Sequence, residues 1–398
     1  MKIAAVIAEF NPLHKGHVLP LQKARQLVGA DGAVLCIMSG NVVQRGDFAI
    51  FSKQIRTQAA LMAGADLVIE LPAVYALSSA QYFAQGAVAL IDAMGMEENH
   101  LVFGSELGEV LPLLKVAQLL ETPKIQKTIQ EEMKKGISYG MACQNALIGT
   151  GDVGESLKSP NNLLGIAYLR AILSLGAKIE AHTIKRVGVS HDAKNPQGEF
   201  ASATYIRQGM LTGAADFSYM PQEIAHLFEK AMETEEPISF WQEETMILAL
   251  LRGAIKPKGG FLGDSEGLAQ KIINSGKKAG SVEELFHLTK SKRYHLSRIR
   301  RLILSICLGF TGEDRPPKPP YIRVLGANIT GQAVLAKMRK TASLPIIIRP
   351  GQAKQLQENG LKMFTLENKV TDLRGLCSGD VNRRKGGQEW RESPIILR

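Results

Sequence analysis

The chain of 398 residues is 45% hydrophobic and 22% charged, the balance of a soluble globular protein long enough for two or three domains with their own cores. Lysine and arginine number 48 against 38 acidic residues, and the net charge of +10 favours an anionic partner, nucleic acid first. The cysteines, Cys36, Cys143, Cys307 and Cys377, lack C-x-x-C spacing, and no apolar run reaches the roughly 20 residues of a membrane span, so neither a zinc site, a disulfide framework nor a membrane helix is expected.

Ile3–Ala8 reads as a buried first strand, and the apolar stretch before Glu9 is too short for a signal peptide; a cytoplasmic protein is expected. A loop and the helical stretch Val18–Leu27 follow. Pro20 falls in the first turn of that helix, where a missing N–H costs nothing. Further strands are predicted at Ala33–Ser39, Asp66–Glu70, Leu101–Phe103 and Ile179–Ile184, with helices at Ser52–Ala63, Ser78–Met94 and Pro160–Leu175. This α/β alternation predicts right-handed crossovers and a doubly wound parallel sheet over residues 1–215, with ligands at the carboxyl ends of its strands.

From 216 to 312 the pattern turns helical, through Ile224–Met232, Phe240–Leu251, Leu268–Ile273 and Leu296–Leu308. Residues 313–320, with four prolines, read as a stiff linker. Tyr321–Leu325, a helix at Thr330–Arg339 and Leu344–Ile348 then predict a small α/β unit within 313–398. Its basic tail after Gly379 is expected to be partly mobile.

The chemistry concentrates after the first strand. The segment Ile7, Ala8, Glu9, Phe10, Asn11, Pro12, Leu13, His14, Lys15, Gly16, His17, Val18, Leu19, Pro20 places His-x-Gly-His at a helix start. A helix N-terminus offers unpaired N–H groups and the positive end of its dipole to phosphate. Gly16 lets a nucleotide approach the backbone, and His14 and His17 can donate to the charge that grows on a phosphate under attack. This is the expected ATP-binding segment, with the two histidines as catalytic residues.

Other polar motifs follow the later strands. Ser39-Gly40-Asn41 through Arg45-Gly46 is placed to line the same site. In Phe103-Gly104-Ser105-Glu106, Gly104 leaves room for adenosine. In Ser159-Pro160-Asn161-Asn162, Ser159 caps a helix, and Asn161 and Asn162 are candidate nucleotide contacts. Lys185 and Arg186 end the fifth strand, and Ser202, Thr204 and Arg207 begin another helix; together they are expected to clamp the triphosphate. There is no Walker A sequence, no G-x-G-x-x-G after a predicted strand and no H-E-x-x-H.

The densest basic stretch runs from Lys290 to Arg301. At helical spacing Leu296, Ile299, Ile303 and Ile306 share an apolar face, with Arg293, Arg298, Arg300 and Arg301 on the other side. Those arginines, with Lys292, are the expected nucleic-acid-binding residues, a cationic stripe suited to phosphate.

Taken in order, the motifs at 8–17, 39–46, 103–106, 159–162 and 185–186 resemble those of the bacterial tRNA(Met) cytidine acetate ligase family, within the His-x-Gly-His nucleotidyltransferases. The resemblance implies a nucleotidyltransferase fold and the joining of acetate to ATP as acetyl-adenylate. It also implies acetyl transfer to N4 of the wobble cytidine of elongator tRNA(Met), with Mg2+ on the triphosphate. Pro20 stands where the family commonly has a third histidine. Two other readings stay open: a small-molecule adenylyltransferase with the same nucleotide site, and a non-catalytic RNA-binding protein on this fold.

Overall fold

A computed structural model describes every residue except 136, 138, 149–156, 158, 187–195, 197, 292 and 398. Its strands are β1 (Lys2–Ala8), β2 (Ala33–Ser39), β3 (Val42–Val43), β4 (Asp47–Phe48), β5 (Leu67–Leu71), β6 (Glu98–Ser105), β7 (Ile179–Lys185), β8 (Ile322–Ala327), β9 (Ile346–Ile347) and β10 (Ile395–Ile396). The main sheet runs β10-β8-β5-β2-β1-β6-β7, with β9 against β8, and β3–β4 is a separate hairpin. Strands β5, β2, β1, β6 and β7 are mutually parallel. Chain order reverses between β1 and β6, so their carboxyl ends open a crevice at the switch point.

Both faces of the sheet are covered, and the sequence alternates accordingly. Ala33, Leu35 and Ile37 pack on one side; Val34, Cys36 and Met38 pack on the other with Leu21, Ala24 and Val28 of the first helix. Strands buried on both faces read as continuous apolar runs, which is why β1 and β2 are visible in the sequence.

The helical region contains Gln222–Thr234, Glu244–Gly253, Leu268–Lys278, Val282–Thr289 and Leu296–Leu308. Its core is continuous with the sheet's: Ile247, Leu251, Ile272 and Ile299 join one layer, and Ile224 and Phe228 join the other. Ile299, Ile303 and Ile306 are buried as predicted, whereas Leu296, at the helix start, is 46% exposed.

The C-terminal part departs most from expectation. It is α/β, but β8 pairs antiparallel with β5, so its strands extend the main sheet instead of forming a second one. A 19-residue helix, Glu358–Leu376, lies where no helix was predicted. Its polar faces are spent on buried partners: Glu367 accepts from the Ala73 N–H, and Arg374 pairs with Glu235. The tail is not loose either. Glu389 is fully buried, where it and Glu70 both bind Lys53 Nζ, and β10 pairs with β8. Such a buried ionic cluster fixes register more than it stabilises, because desolvation offsets its Coulomb gain. Among the described residues no helix is long and apolar enough to cross a membrane.

Candidate nucleotide site

The loop after β1 is held on several sides. Buried Arg56 donates to the carbonyls of Glu9 (2.7 Å), Ser39 (3.0 Å) and Gly40. Arg207 donates to the Asn11 carbonyl (2.7 Å), and the Asn11 side chain accepts the Ile50 N–H (2.8 Å). Phe10 sits at φ 46°, and the Asn11–Pro12 peptide is cis. A bulky residue in the left-handed region costs about 1–3 kcal/mol and persists where its surroundings over-determine it, as these bonds do here.

The two histidines form the start of the Lys15–Val28 helix. His14 is its N-cap and accepts the Gly16 N–H on Nδ1 (3.1 Å), while His17 Nδ1 accepts the His14 N–H (3.3 Å). Each ring thereby has Nδ1 as acceptor, so the proton of the neutral imidazole sits on Nε2, the nitrogen facing away from the turn. The rings lie 3.9 Å apart, and Phe10 packs edge-on against His17 at 5.4 Å. A Cβ on residue 16 would meet His14 Cε1 at 3.0 Å, so glycine there also makes room for the stacked ring.

A cavity of about 300 Å³ opens over this turn. Of the predicted ATP-binding residues it is lined by Ile7, Ala8, Glu9, Phe10, Asn11, Gly16, His17, Leu19, Pro20, Gly104, Asn161, Arg186, Thr204 and Arg207. Pro12, Leu13, His14, Lys15, Val18, Asn162, Lys185 and Ser202 are not among its lining. His14 is buried beneath His17. Asn162 is also buried, and its Oδ1 accepts the N–H groups of Glu106 (2.9 Å) and Leu107 (3.3 Å). In return Glu106 accepts from Asn161 N and Nδ2 and from Asn162 N, so this carboxylate caps the Pro160–Leu175 helix, and Ser159 makes no cap bond. Ser202 caps the Ala203–Leu211 helix through the Tyr205 N–H (3.0 Å). Lys185 packs its side chain over Gly108.

Among the described residues, four guanidinium groups, Arg45, Arg186, Arg207 and Arg300, line the cavity against two carboxylates, Glu9 and Asp47. Arg186 is oriented by Asn161 Oδ1 (3.2 Å), and Arg207 by Thr204 Oγ1 (3.1 Å). Burial lowers the pKa of Arg186 and Arg300, opposed by Glu106 and Asp47 respectively, yet both stay charged at neutral pH. Burial pushes the Glu9 carboxyl up, against the pull of the Gln44 N–H and of Arg207, Arg45 and Arg56. An anionic ligand would offset the desolvation of these cations, so the cavity is matched to a polyphosphate. Its apolar wall is made by Phe83, Phe103, Leu164 and Tyr168.

The expected cationic stripe is divided. Arg300 lines the nucleotide cavity and Arg301 donates to the Gln44 carbonyl (2.9 Å). Arg293 pairs with Glu266 (2.6 Å), and Arg298 bonds Ser265 and lies over the Tyr294 ring (4.7 Å). Lys292 lies outside the described residues. Sequence reasoning missed Phe83, Tyr168 and the placement of Arg300 in this cavity. The first two sit within helices with ordinary core patterning, and Arg300 is one of three arginines within residues 298–301.

A switch-point crevice with a histidine-capped helix and a ring of arginines defines a nucleotidyltransferase, and the family model described as HIGH Nucleotidyl Transferase matches residues 1–389. Within that class the chain is 39% identical over 383 residues to the tRNA(Met) cytidine acetate ligase of Thermoanaerobacter sp. (strain X514), covering 94% of each chain. It is 35% identical to the one from Acetivibrio thermocellus over the whole of both chains. The crystal structure of apo Thermotoga maritima TmcAL superposes with a TM-score of 0.93 at 32% identity, and the form bound with alpha-thio ATP with 0.90 at 31%, each over both full chains. The chain belongs to the tRNA(Met) cytidine acetate ligase family.

Proposed function

We propose that this protein uses ATP to activate acetate and passes the acetyl group to N4 of the wobble cytidine of elongator tRNA(Met). An acetate oxygen attacks the α-phosphorus and pyrophosphate leaves. The cytidine amine then attacks the acetyl carbonyl and AMP leaves. The observation that carries the reading is the helix start built by His14 and His17 beneath a cavity that His17 lines together with Arg45, Arg186, Arg207 and Arg300. Acetate is already ionised at neutral pH, so the first step needs no general base, in keeping with a lining richer in cations than in carboxylates.

In this reading Gly104 and Asn161 seat adenosine, while Arg186, Arg207, Arg45 and Arg300 hold phosphate. Asn162, Ser202 and His14 act behind them as positioning residues. A magnesium ion would neutralise triphosphate charge. Glu9 already accepts the Gln44 N–H, and Asp47 accepts from Ser239, Phe240 and Phe48, so the ion's ligands would be mainly phosphate and water. The outer arginines, Arg293 and Arg298, supply phosphate contacts for tRNA, and the base-reading contacts lie elsewhere.

The test is pyrophosphate exchange into ATP without tRNA, with and without acetate, followed by mass analysis of elongator tRNA(Met). Acetate-dependent exchange and N4-acetylcytidine are the expected results. Exchange driven only by another acid or a phosphorylated nucleotide precursor would replace this reading with a small-molecule adenylyltransferase. No reaction in either assay would leave an RNA-binding protein.

A further inference from the structure

In the first half of β6 and the middle of β7, on residues that do not line the nucleotide cavity, His100 and His182 approach each other across neighbouring strands. His100 is on the sheet face of Val102, which packs against the first helix, and His182 is Val102's register partner on β7. We propose that His100, His182 and Glu180 form a binding site for a divalent transition cation of the zinc type.

The geometry is that of three corners of a tetrahedron. His100 Nδ1 lies 3.0 Å from His182 Nε2. The Glu180 carboxylate places one oxygen 3.4 Å from His100 Nδ1 and the other 3.5 Å from His182 Nε2. Ligands bound tetrahedrally at 2.0–2.1 Å are separated by roughly 3.3 Å, so a cation fits among these atoms with little movement. Among the described residues this is the one group of three or more histidine, cysteine or carboxylate side chains whose ligand atoms all lie within 4.8 Å of one another.

The surroundings are those of a ligand set. His100 Nε2 meets Glu98 Oε1 at 3.1 Å, and Lys2 holds the same Glu98 oxygen at 2.7 Å. With Nε2–H donating to this carboxylate, Nδ1 is the lone-pair nitrogen, turned toward His182 and Glu180; this is how metal-bound histidines are oriented. His100 is 5% exposed, which fixes its ring, whereas the Glu180 side chain is 68% exposed and leaves the fourth coordination position open to water. The cation would join two strands that lead, four residues on and about 13 Å away, to Gly104 and Arg186. It is a structural staple separate from the acetyl-transfer chemistry, and its test is independent of that reading.

The experiment is titration of the full, untagged, chelator-treated chain with Co2+, read by visible absorption, then competition with Zn2+ and thermal melting. Expected are one equivalent of cobalt with the intense bands of a tetrahedral site, loss of those bands to zinc, and a higher melting temperature with zinc. His182→Ala should weaken apparent affinity by more than about 100-fold and Glu98→Gln by about tenfold. Both positions are partly exposed, and circular dichroism of the metal-free variants checks that they fold. Absence of tetrahedral cobalt bands at millimolar Co2+, or binding that His182→Ala leaves within about twofold, would overturn the proposal.

Discussion

Arg301 Nη1 donates to the carbonyl oxygen of Gln44 at 2.9 Å, across 257 residues of chain. The bond joins the basic helix to the loop whose own N–H binds Glu9 at 2.6 Å, at the floor of the nucleotide cavity. Gly46 tightens the junction: at φ 78° it lies where a Cβ would meet Arg301 N at 2.4 Å. The helical region is therefore a wall of the ATP site as well as a candidate RNA surface.

Arg301→Ala should accordingly damage adenylate formation. Losing the tether lets the 44–47 loop and Arg300 shift, and misplacements of about 1 Å cost up to 100-fold in rate. At least about a tenfold loss of acetate-dependent pyrophosphate exchange is expected, mostly in KM for ATP, with tRNA affinity little altered. If exchange stays at the wild-type rate while tRNA affinity collapses, Arg301 belongs to the RNA surface after all.

His17→Asn separates the two jobs of one ring. The asparagine Oδ1 can still accept the His14 N–H as Nδ1 does, so the helix cap survives, but nothing replaces Nε2–H. Removing one preorganised donor to a transition-state oxygen costs about 100- to 1000-fold in rate. The variant should melt within a few degrees of wild type and lose that much in single-turnover adenylation. Activity within about threefold of wild type would remove His17 from the chemistry.

The sequence displayed the sheet's parallel half and the phosphate motifs because both are local: apolar strands buried on two faces, and loops at their ends. It hid whatever depends on distant pairing. β8 shows no sign of being antiparallel to β5, since pairing direction is not written in an apolar run. The Glu358–Leu376 helix lacks a single apolar stripe because Glu367, Thr371 and Arg374 are buried with polar partners. Asn162 read as a ligand contact because a buried amide bonding loop N–H groups uses the same residue type as one bonding a nucleotide. His100 and His182 are 82 residues apart, beyond any spacing rule for metal ligands.

The outer arginines carry a salt-dependence prediction. Arg293 and Arg298 are partly exposed, while Glu266 and Tyr294 hold them in place rather than neutralise the whole patch. Each RNA phosphate left without its arginine lowers the slope of log affinity against log salt by about 0.7–0.9. Arg293→Ala with Arg298→Ala should therefore reduce tRNA affinity and flatten that slope by between about one and two units. Fluorescence anisotropy with labelled elongator tRNA(Met) over a salt series measures it; an unchanged slope would show that neither side chain meets RNA phosphate.

Glu235 gives the acid limb of stability a definite owner. It accepts from Ser52 N (2.6 Å) and Oγ (2.9 Å), and pairs with Arg374 (2.7 Å) and Arg383 (3.2 Å), binding the helical region, the N-terminal lobe and the C-terminal helix at one carboxylate. Burial alone would raise its pKa, but Arg374 and the Ser52 bonds outweigh that and hold it below the ordinary 4.5. A carboxyl depressed in the folded state binds fewer protons there than in the unfolded chain, so its stabilisation is fully present above the unfolded pKa and is lost as pH falls through the folded one. Burial pushes the Glu70 and Glu367 carboxyls up, and their contributions run in the opposite sense, fading as pH rises through the interval above the unfolded value. Comparing Glu235→Gln with wild type removes those shared terms. At neutral pH the variant, with Arg374 left buried and its partner uncharged, should be less stable by about 3 kcal/mol. As the pH falls below the ordinary carboxyl range the gap should narrow, because the wild-type carboxyl gives up its charge there. Urea unfolding at several pH values measures the difference, and a gap that stays constant from neutral to acid would mean that the Glu235 charge contributes nothing to it.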